Sequence, residues 1–316
     1  MTTCLVTGGA GFIGSHFVDY LLKNTNWEIR VWDYLNYASR EAERLREIGA
    51  FASARFKFYN RDISQCEVAT ENFDYIVHLA AETHVDRSIV NARQFVLSNV
   101  VGTHNMLEYA RSVMKVYPLK KFLYFSTDEV FGPTAPKACF DEWWHYNSSN
   151  PYAATKAAGE ELALAWANTY KMPVVISHCC NVFGERQHEE KFIPKLVKAI
   201  RGGHMISIHA NQQGTSGSRM YVYAGDVARA IHLMIEYGED REKYNIPGRE
   251  ISNEDMAVLV SCALGKEVIS QKVYPYADRP GWDFSYRIGG DNLRELGWEP
   301  TENFNALLKK TVESMK

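Results

Sequence analysis

Two stretches of the sequence carry side chains able to move protons. In PYAATKAAGE, Tyr152 and Lys156 stand four residues apart, a spacing that puts both on one face of a helix. An ammonium beside a phenol favours the phenolate. Lowering a tyrosine from about 10 to about 7 takes roughly 4 kcal/mol of differential stabilisation, and such a tyrosine could take a hydroxyl proton while hydride leaves the same carbon. The second stretch, Ser126-Thr127-Asp128-Glu129-Val130-Phe131-Gly132, follows an apolar run and sets two carboxylates side by side. At the C-terminal end of a strand in an open α/β sheet, where ligands bind, such a pair suits a reaction that needs both an acid and a base. Taken singly, both patterns are ordinary: Y-x-x-x-K occurs on many exposed helices and Asp-Glu in many solvated turns.

A third stretch could hold a cofactor. Val6-Thr7-Gly8-Gly9-Ala10-Gly11-Phe12-Ile13-Gly14 joins a strand-like run to a helix-like one. Gly8, Gly11 and Gly14 permit a tight turn, a close approach of backbone N–H groups to a pyrophosphate, and close helix–sheet contact. The helix N-terminus adds free N–H donors and partial positive charge. Its place between strand and helix lifts this triplet above an ordinary turn. Asp33 ends the next strand, at the spacing where a carboxylate accepts the adenosine ribose hydroxyls and repels a 2′-phosphate, so NAD is expected over NADP. Arg30 and Arg40 are the neighbours that argue the other way. Asp62 and Ile63 follow the third strand, where they could meet the adenine.

These groups need a scaffold. Strand patterns over 3–7, 28–32, 55–59, 75–79, 121–126 and 174–179 alternate with helical ones over 12–23, 91–116 and 151–170. The alternation predicts an α/β fold, a Rossmann-type doubly wound parallel sheet with a smaller C-terminal substrate-binding lobe. Beyond Asn181, helical stretches near 192–201, 226–236, 253–264 and 304–315 are separated by Gly- and Pro-containing loops, and ANQQGTSGS reads as an exposed polar loop. The expected division gives 1–180 with about 222–248 to the cofactor and 181–221 with 249–316 to the substrate, with a cleft between them.

Composition argues against other classes. Hydrophobic residues make up 46%, charged ones 23%, and the formal net charge is -3, which offers no clustered basic surface for nucleic acid or an anionic membrane. No apolar run reaches the roughly 20 residues that span a bilayer. The opening MTTCLVTGGAGF lacks a charged segment followed by an apolar one, so no secretory leader is expected. The six cysteines form no C-x-x-C pair and no zinc-like spacing with histidine. Reduced thiols, no metal and a cytoplasmic location are therefore expected.

Together the glycine pattern, HLAAETHVDRSI, STDEVFG, PYAATKAAGE, NVFGERQ and DRPGWD resemble the nucleoside-diphosphate-glucose 4,6-dehydratases, members of the extended short-chain dehydrogenase/reductase superfamily. The resemblance covers nearly the whole chain, and Thr-Asp-Glu is its most specific element. It implies Thr127, Tyr152 and Lys156 as an oxidoreductase core, Asp128 as the acid that protonates a departing C6 hydroxyl, and Glu129 as the base at C5. The implied reaction oxidises C4 transiently, eliminates water across C5 and C6, and returns hydride to C6, with NAD regenerated. Phe12, Ile13, Leu79, Ala80, Ala81, Thr83, Asn99 and Ser126 would complete the cofactor contacts. On the substrate side the resemblance implies Thr83, His84, Asp86 and Thr127 near the sugar, Asn181 beside the diphosphate, Asn245 near the nucleotide, and Arg219 and Arg279 as diphosphate clamps.

The chain departs from the family's pattern at three places: Trp282 replaces a histidine, His178 replaces an arginine, and the loop 211–218 is longer and lacks the usual GDG turn. All three fall on the substrate side. The helices over 91–116 and 151–170 resemble those that pair subunits, so a homodimer with a four-helix interface is expected. On the same scaffold a 4-epimerase or a UDP-glucuronate decarboxylase would use NAD, the tyrosine and the lysine without the Asp128–Glu129 pair. A non-catalytic NAD-binding sensor would be expected to lose these groups, and all are present.

Overall fold

The computed structural model describes residues 1–65, 71–135, 138–274 and 283–315. Among them the strands run β1 (Thr3–Thr7), β2 (Glu28–Asp33), β3 (Phe56–Asn60), β4 (Tyr75–His78), β5 (Lys121–Thr127), β6 (Val174–Cys179), β7 (Asn181–Phe183), β8 (Ile206–His209), β9 (Ser218–Tyr223), β10 (Lys243–Ile246), β11 (Arg249–Ser252) and β12 (Ser270–Val273). The α-helices are α1 (Phe12–Asn24), α2 (Glu43–Glu47), α3 (Val85–Val90), α4 (Ala92–Phe95), α5 (Gly102–Met114), α6 (Pro151–Tyr170), α7 (Phe192–Gly202), α8 (Ala224–Tyr237), α9 (Asn253–Leu264), α10 (Asp291–Glu295) and α11 (Phe304–Ser314).

Seven parallel strands form the main sheet in the order β10-β6-β5-β4-β1-β2-β3. Such strands are covered on both faces and so read as near-continuous apolar runs; KFLYFST and VVISHC are buried at every position. Helices α1 and α8 pack together, and Phe17, Val18, Leu21, Val227, Ile231 and Met234 join the sheet in one core. Met106, Leu107 and Ala110 of α5 with Ala163 and Ala167 of α6 form a second core. A third gathers Ile193, Leu196, Ile208, Met256, Val260 and Leu308 around α7, α9 and α11. It adjoins two small sheets, β11-β9-β7 and β12-β8.

The structure differs from the sequence reading in its later strands and in the helical region before β5. The periodicity missed β7, β8, β9, β11 and β12, and with them β10, a four-residue edge strand on which the chain returns to pair with β6. The helix expected over 91–116 runs continuously from Ala92 to Met114, but through a run of wider π-type turns at Val96–Val101. It is preceded by the unexpected short helix α3, capped by His84 and set off from it at Asn91 (φ -144, ψ 81). Wider turns of this kind recur at functional sites, and this run carries Asn99. The polar stretch at 210–218 is a closed turn: Asn211 Oδ1 accepts from the backbone N–H of Gln213 (3.1 Å) and Thr215 (2.9 Å).

Among the described residues no helix is long and apolar enough to cross a membrane, and no three His, Cys, Asp or Glu side chains gather as a metal-holding cluster.

Candidate active site

The strand order reverses between β1 and β4, and open α/β sheets bind ligands at that crevice, beyond the carboxyl ends of the strands. A cleft of about 490 Å³ lies there. Its wall is built from the segments that leave successive strands: Gly8 to Gly14 after β1, Asp33 to Ser39 after β2, Arg61 to Gln65 after β3, Leu79 to Thr83 after β4, Ser126 to Glu129 at the end of β5, and Cys179 to Val182 after β6.

At one end the backbone comes very close to itself. Gly8 has φ +69, and a Cβ added at Gly14 would sit 2.2 Å from the Gly8 carbonyl oxygen. The turn and the start of α1 thus form a cradle that side chains would fill. Asp33 stands beside it with both oxygens engaged: Oδ2 accepts from Ala10 N (3.1 Å), and Oδ1 from Leu35 N (2.9 Å) and Ser39 Oγ (2.8 Å). Burial pushes this carboxyl up, against the pull of those three donors. Arg30, buried, pairs with Glu28 at 2.6 Å, and Arg40 pairs with Glu43 at 2.6 Å. Neither lines the cleft; the charges that do at this end are Asp33, Arg44, Arg61 and Asp62.

At the other end β5 delivers Thr127, Asp128 and Glu129, and α6 delivers Tyr152 and Lys156. Helix α6 starts where it does because Asn150 caps it, accepting from Ala153 N at 2.9 Å, with Pro151 in its first turn. Tyr152 N–H donates to Ser88 Oγ (3.2 Å), which ties α6 to α3. Asp128 is buried, and its Oδ2 has no hydrogen-bond partner among the described residues. Burial, and then the charge of Glu129, push its carboxyl up to about 7. Burial also raises Glu129, against a 3.0 Å hydrogen bond from Asn150 Nδ2 to its Oε2. The pair therefore offers a carboxyl that keeps a proton near neutrality beside one that accepts a proton.

Residues 4–247 match the model of the family described as "NAD dependent epimerase/dehydratase family". The chain belongs to that family. Its relatives include a probable dTDP-glucose 4,6-dehydratase of Sinorhizobium fredii, 39% identical over 98% of this chain and 91% of the relative. The dTDP-glucose 4,6-dehydratase of Escherichia coli is 36% identical over the same shares. Among solved structures, the dTDP-glucose 4,6-dehydratase DesIV of Streptomyces venezuelae, with NAD bound, superposes with a TM-score of 0.88 at 35% identity, covering 99% of this chain and 96% of that one. A UDP-glucose 4-epimerase of Thermus thermophilus with NAD superposes at 0.85 and 26% identity, over 99% of both chains.

NAD is the family's cofactor, and the cleft fits it: a glycine cradle for a pyrophosphate, a fixed carboxylate at the ribose position, and Asp62 and Ile63 on the wall beyond. Of the residues expected at the cofactor, Gly8, Gly11, Phe12, Ile13, Gly14, Asp33, Asp62, Ile63, Leu79, Ala80, Ala81, Thr83, Ser126, Tyr152 and Lys156 all line the cleft. Asn99 does not. It lies behind the wall, where its amide takes Glu82 N (2.8 Å) and donates to Glu82 O and Thr155 Oγ1 (both 3.0 Å), holding the segment after β4 against α6.

The substrate-side residues separate further. Thr83, Thr127 and Asn181 line the cleft. His84 caps α3 and sits 3.8 Å from Glu190; neither it nor Asp86 lines the wall. Arg219 donates to the carbonyls of Ser218 (2.7 Å), Phe284 (3.1 Å) and Asp283 (2.9 Å), and its charge still eases the burial of Asp128 and Glu129. Asn245 requires a correction. It is fully buried in β10, opposite His178, and its amide is engaged there, so it is withdrawn from the nucleotide contacts. Arg279 and Trp282 lie outside the described residues.

A second correction concerns Tyr152. Its hydroxyl is pushed up, first by burial and then by the Glu129 charge, with a Thr127 hydrogen bond opposing. Lys156, itself pushed down to about 7 by burial, lies over the Tyr124 ring at 4.2 Å. Sequence reasoning also missed Arg44 and Lys191, both on the cleft wall. Arg44 joins the carbonyls of Arg186 (2.7 Å) and Ala10 (3.3 Å), and its Nη2 is buried without a partner among the described residues. Lys191 donates to Thr83 O at 3.4 Å. The signal for Lys191 was the charged run EEK after NVFGERQ; nothing in the sequence distinguished Arg44 from its helical neighbours.

Proposed function

We propose that the protein catalyses the NAD-dependent 4,6-dehydration of a nucleotide-linked glucose, of the dTDP- or UDP-glucose kind, to the 4-keto-6-deoxy sugar. The observation that carries this reading is the Asp128–Glu129 pair at the end of β5, beside Tyr152 and Lys156 in one cleft. Bound NAD supplies the hydride acceptor and, later, donor. Tyr152, as the phenolate, takes the proton of the C4 hydroxyl, and the positive charge of bound NAD would offset the burial that otherwise holds its own proton in place. The Thr127 hydrogen bond eases that ionisation, and so does the neutrality of Asp128 while it holds its proton. A C4 ketone acidifies C5, and Glu129, fixed by Asn150, takes the C5 proton. Asp128 gives its proton to the C6 hydroxyl, which leaves as water. The hydride returns to C6 as Glu129 returns its proton to C5, and the proton gained by Tyr152 is released to solvent as Asp128 takes one up. Each transfer is worth roughly 10²–10⁴-fold. A 4-epimerase on this scaffold has no use for the two carboxylates.

Residues 1–180 with 222–248 hold the cofactor in this reading, and 181–221 with 249–316 hold the sugar nucleotide. Lys191 and Asn181 on the cleft wall, together with Arg219 and Arg279, serve the diphosphate. Two copies pair through the outer faces of α3 to α5 and of α6, where Val90, Val96, Val101 and Tyr170 are exposed. The described cysteines are all free thiols, which suits the cytoplasm.

Incubation with dTDP-glucose and, separately, UDP-glucose, followed by mass spectrometry, tests the reaction. Loss of one water's mass is expected and identifies the preferred nucleotide. An unchanged mass with inversion at C4 replaces the dehydratase by an epimerase. Light scattering tests the pairing: twice the chain mass is expected, falling to one chain on combining Val96→Glu with Val101→Glu.

A further inference from the structure

Behind the catalytic wall lies a buried charged cluster that the reaction does not touch. Glu160, fully buried on α6 one turn after Lys156, accepts through Oε1 from Ser126 on β5. Its Oε2 accepts from His178 Nε2 on β6 (2.9 Å) and from the Tyr146 hydroxyl (2.8 Å). The Lys243 ammonium on β10 stands 3.6 Å from that oxygen and donates to Tyr146 at 2.8 Å. The second nitrogen of His178 faces Asn245 Oδ1 at 3.0 Å, and Asn245 Nδ2 points at the Phe140 carbonyl, 3.4 Å away. Both ring nitrogens of His178 are thus engaged within the cluster.

A buried carboxylate without partners takes up a proton. Burial alone would raise Glu160, but the charge and hydrogen bond of His178, the charge of Lys243 and the hydrogen bond from Ser126 outweigh it and hold the carboxyl below its ordinary value. The cluster reaches the cleft by two routes. Ser126 is itself on the cleft wall. Lys156 is lowered by burial, and Glu160 is the charge that opposes the lowering. The other titratable groups facing this region include Glu142, a buried carboxyl raised by burial against the partial pull of the His178 charge, His78 on β4, pushed down by burial and by the Lys156 charge, Tyr124 on β5, and Tyr152 on α6 itself. From the helical side Asn99 and Thr103 contribute uncharged groups only.

We propose that Glu160 is a positioning residue: its carboxylate, locked between His178 and Lys243, supplies the counter-charge for Lys156 and fixes Ser126 at the cleft wall. The chain thereby links the edge strand β10, through β6 and β5, to the proton-handling face of α6. The role in turnover rests on the dehydratase reading.

The test is Glu160→Gln, read in two ways. Acetylation of Lys156 by acetic anhydride across pH, followed by mass spectrometry of its peptide, reports the ammonium directly. Loss of the counter-charge is expected to move the onset of labelling to lower pH by about one to two units. The alkaline limb of the kcat profile is expected to move with it while KM for the sugar nucleotide stays unchanged, and Glu160→Asp restores part of both. A folded Glu160→Gln protein whose Lys156 labels as in the parent overturns the proposal. If that variant does not fold, the double variant Glu160→Gln with His178→Gln replaces the ion pair by two amides and is read by the same outcomes. Failure of the parent to dehydrate its substrate leaves the labelling result standing, so the reaction and the role of Glu160 fail separately.

Discussion

The two ends of the cleft solve opposite problems with similar groups. At the end of β2, Asp33 has both oxygens held: three donors from Ala10, Leu35 and Ser39 fix them and leave room for a further one. Beyond β5, Asp128 is equally buried, yet one of its oxygens has no partner among the described residues and its carboxyl is raised to about 7. A carboxylate that only has to orient a ribose is best fixed and ionised. One that must give up a proton is best buried and under-supplied with donors, because burial disfavours the charged form. Burial raises both carboxyls; at Asp33 three donors oppose it, whereas at Asp128 the charge of Glu129 adds to it.

The sharpest way to break the comparison is at the catalytic end. Glu129→Gln keeps the shape and the Asn150 contact but removes the base, and kcat is expected to fall about 10²–10⁴-fold. Bound NAD should be unchanged by absorbance. A comparable loss of NAD would mean that the two ends are not separate functions.

Asp128→Asn probes the cost of the raised acid. The folded protein holds a proton on Asp128 up to pH of about 7, whereas the unfolded chain loses it near the ordinary value of 3.8. Between those values the folded state binds more protons, so stability falls as pH rises through this window and levels off above it. Replacing Asp128 by asparagine removes that loss. The variant is expected to match the parent in thermal unfolding below pH of about 4 and to exceed it at pH 8, by up to about 4 kcal/mol. Parallel curves would show that Asp128 is ionised throughout.

At the cofactor end Gly14→Ala drives a methyl to within 2.2 Å of the Gly8 carbonyl oxygen. A loss of about 1–3 kcal/mol in denaturant unfolding is expected from overpacking, with NAD absent from the purified protein. The smallest effect is at Asp33. Asp33→Ser keeps a short acceptor but removes the charge that repels a 2′-phosphate, and the NAD to NADP preference is expected to drop roughly tenfold in equilibrium binding of the two cofactors.

The glycine turn, Asp33, the Asp128–Glu129 pair and the Tyr152/Lys156 spacing were all legible in the sequence. Each is a short-range pattern whose meaning depends on one turn of helix or one strand end. Six of the seven strands of the large sheet were legible as apolar runs, but their order and register were not. The seventh, β10, is KYNI, no shorter than β4 (YIVH) but broken by Lys243 and Asn245 so that it shows no apolar run, and it forms because β6 offers an edge for it. The helix start at Asn91 was legible, but α3 before it and the wider turns at Val96–Val101 were not: they place Ser88 and Asn99 against α6 and the segment after β4, partners far away in sequence.

What the sequence alone determined was the reaction set and its scaffold, because strand and helix periods and close residue spacings are fixed by local backbone geometry. What the tertiary structure decided was which of those groups carry charge. Asn245 reads as a ligand in sequence and is a buried partner of His178 in the fold. Glu160 is 18 residues from His178 in sequence and meets it only because β5, β6 and β10 are neighbours. Ionisation depends on burial and on donors brought from distant strands, and neither is encoded within the few residues that a motif spans.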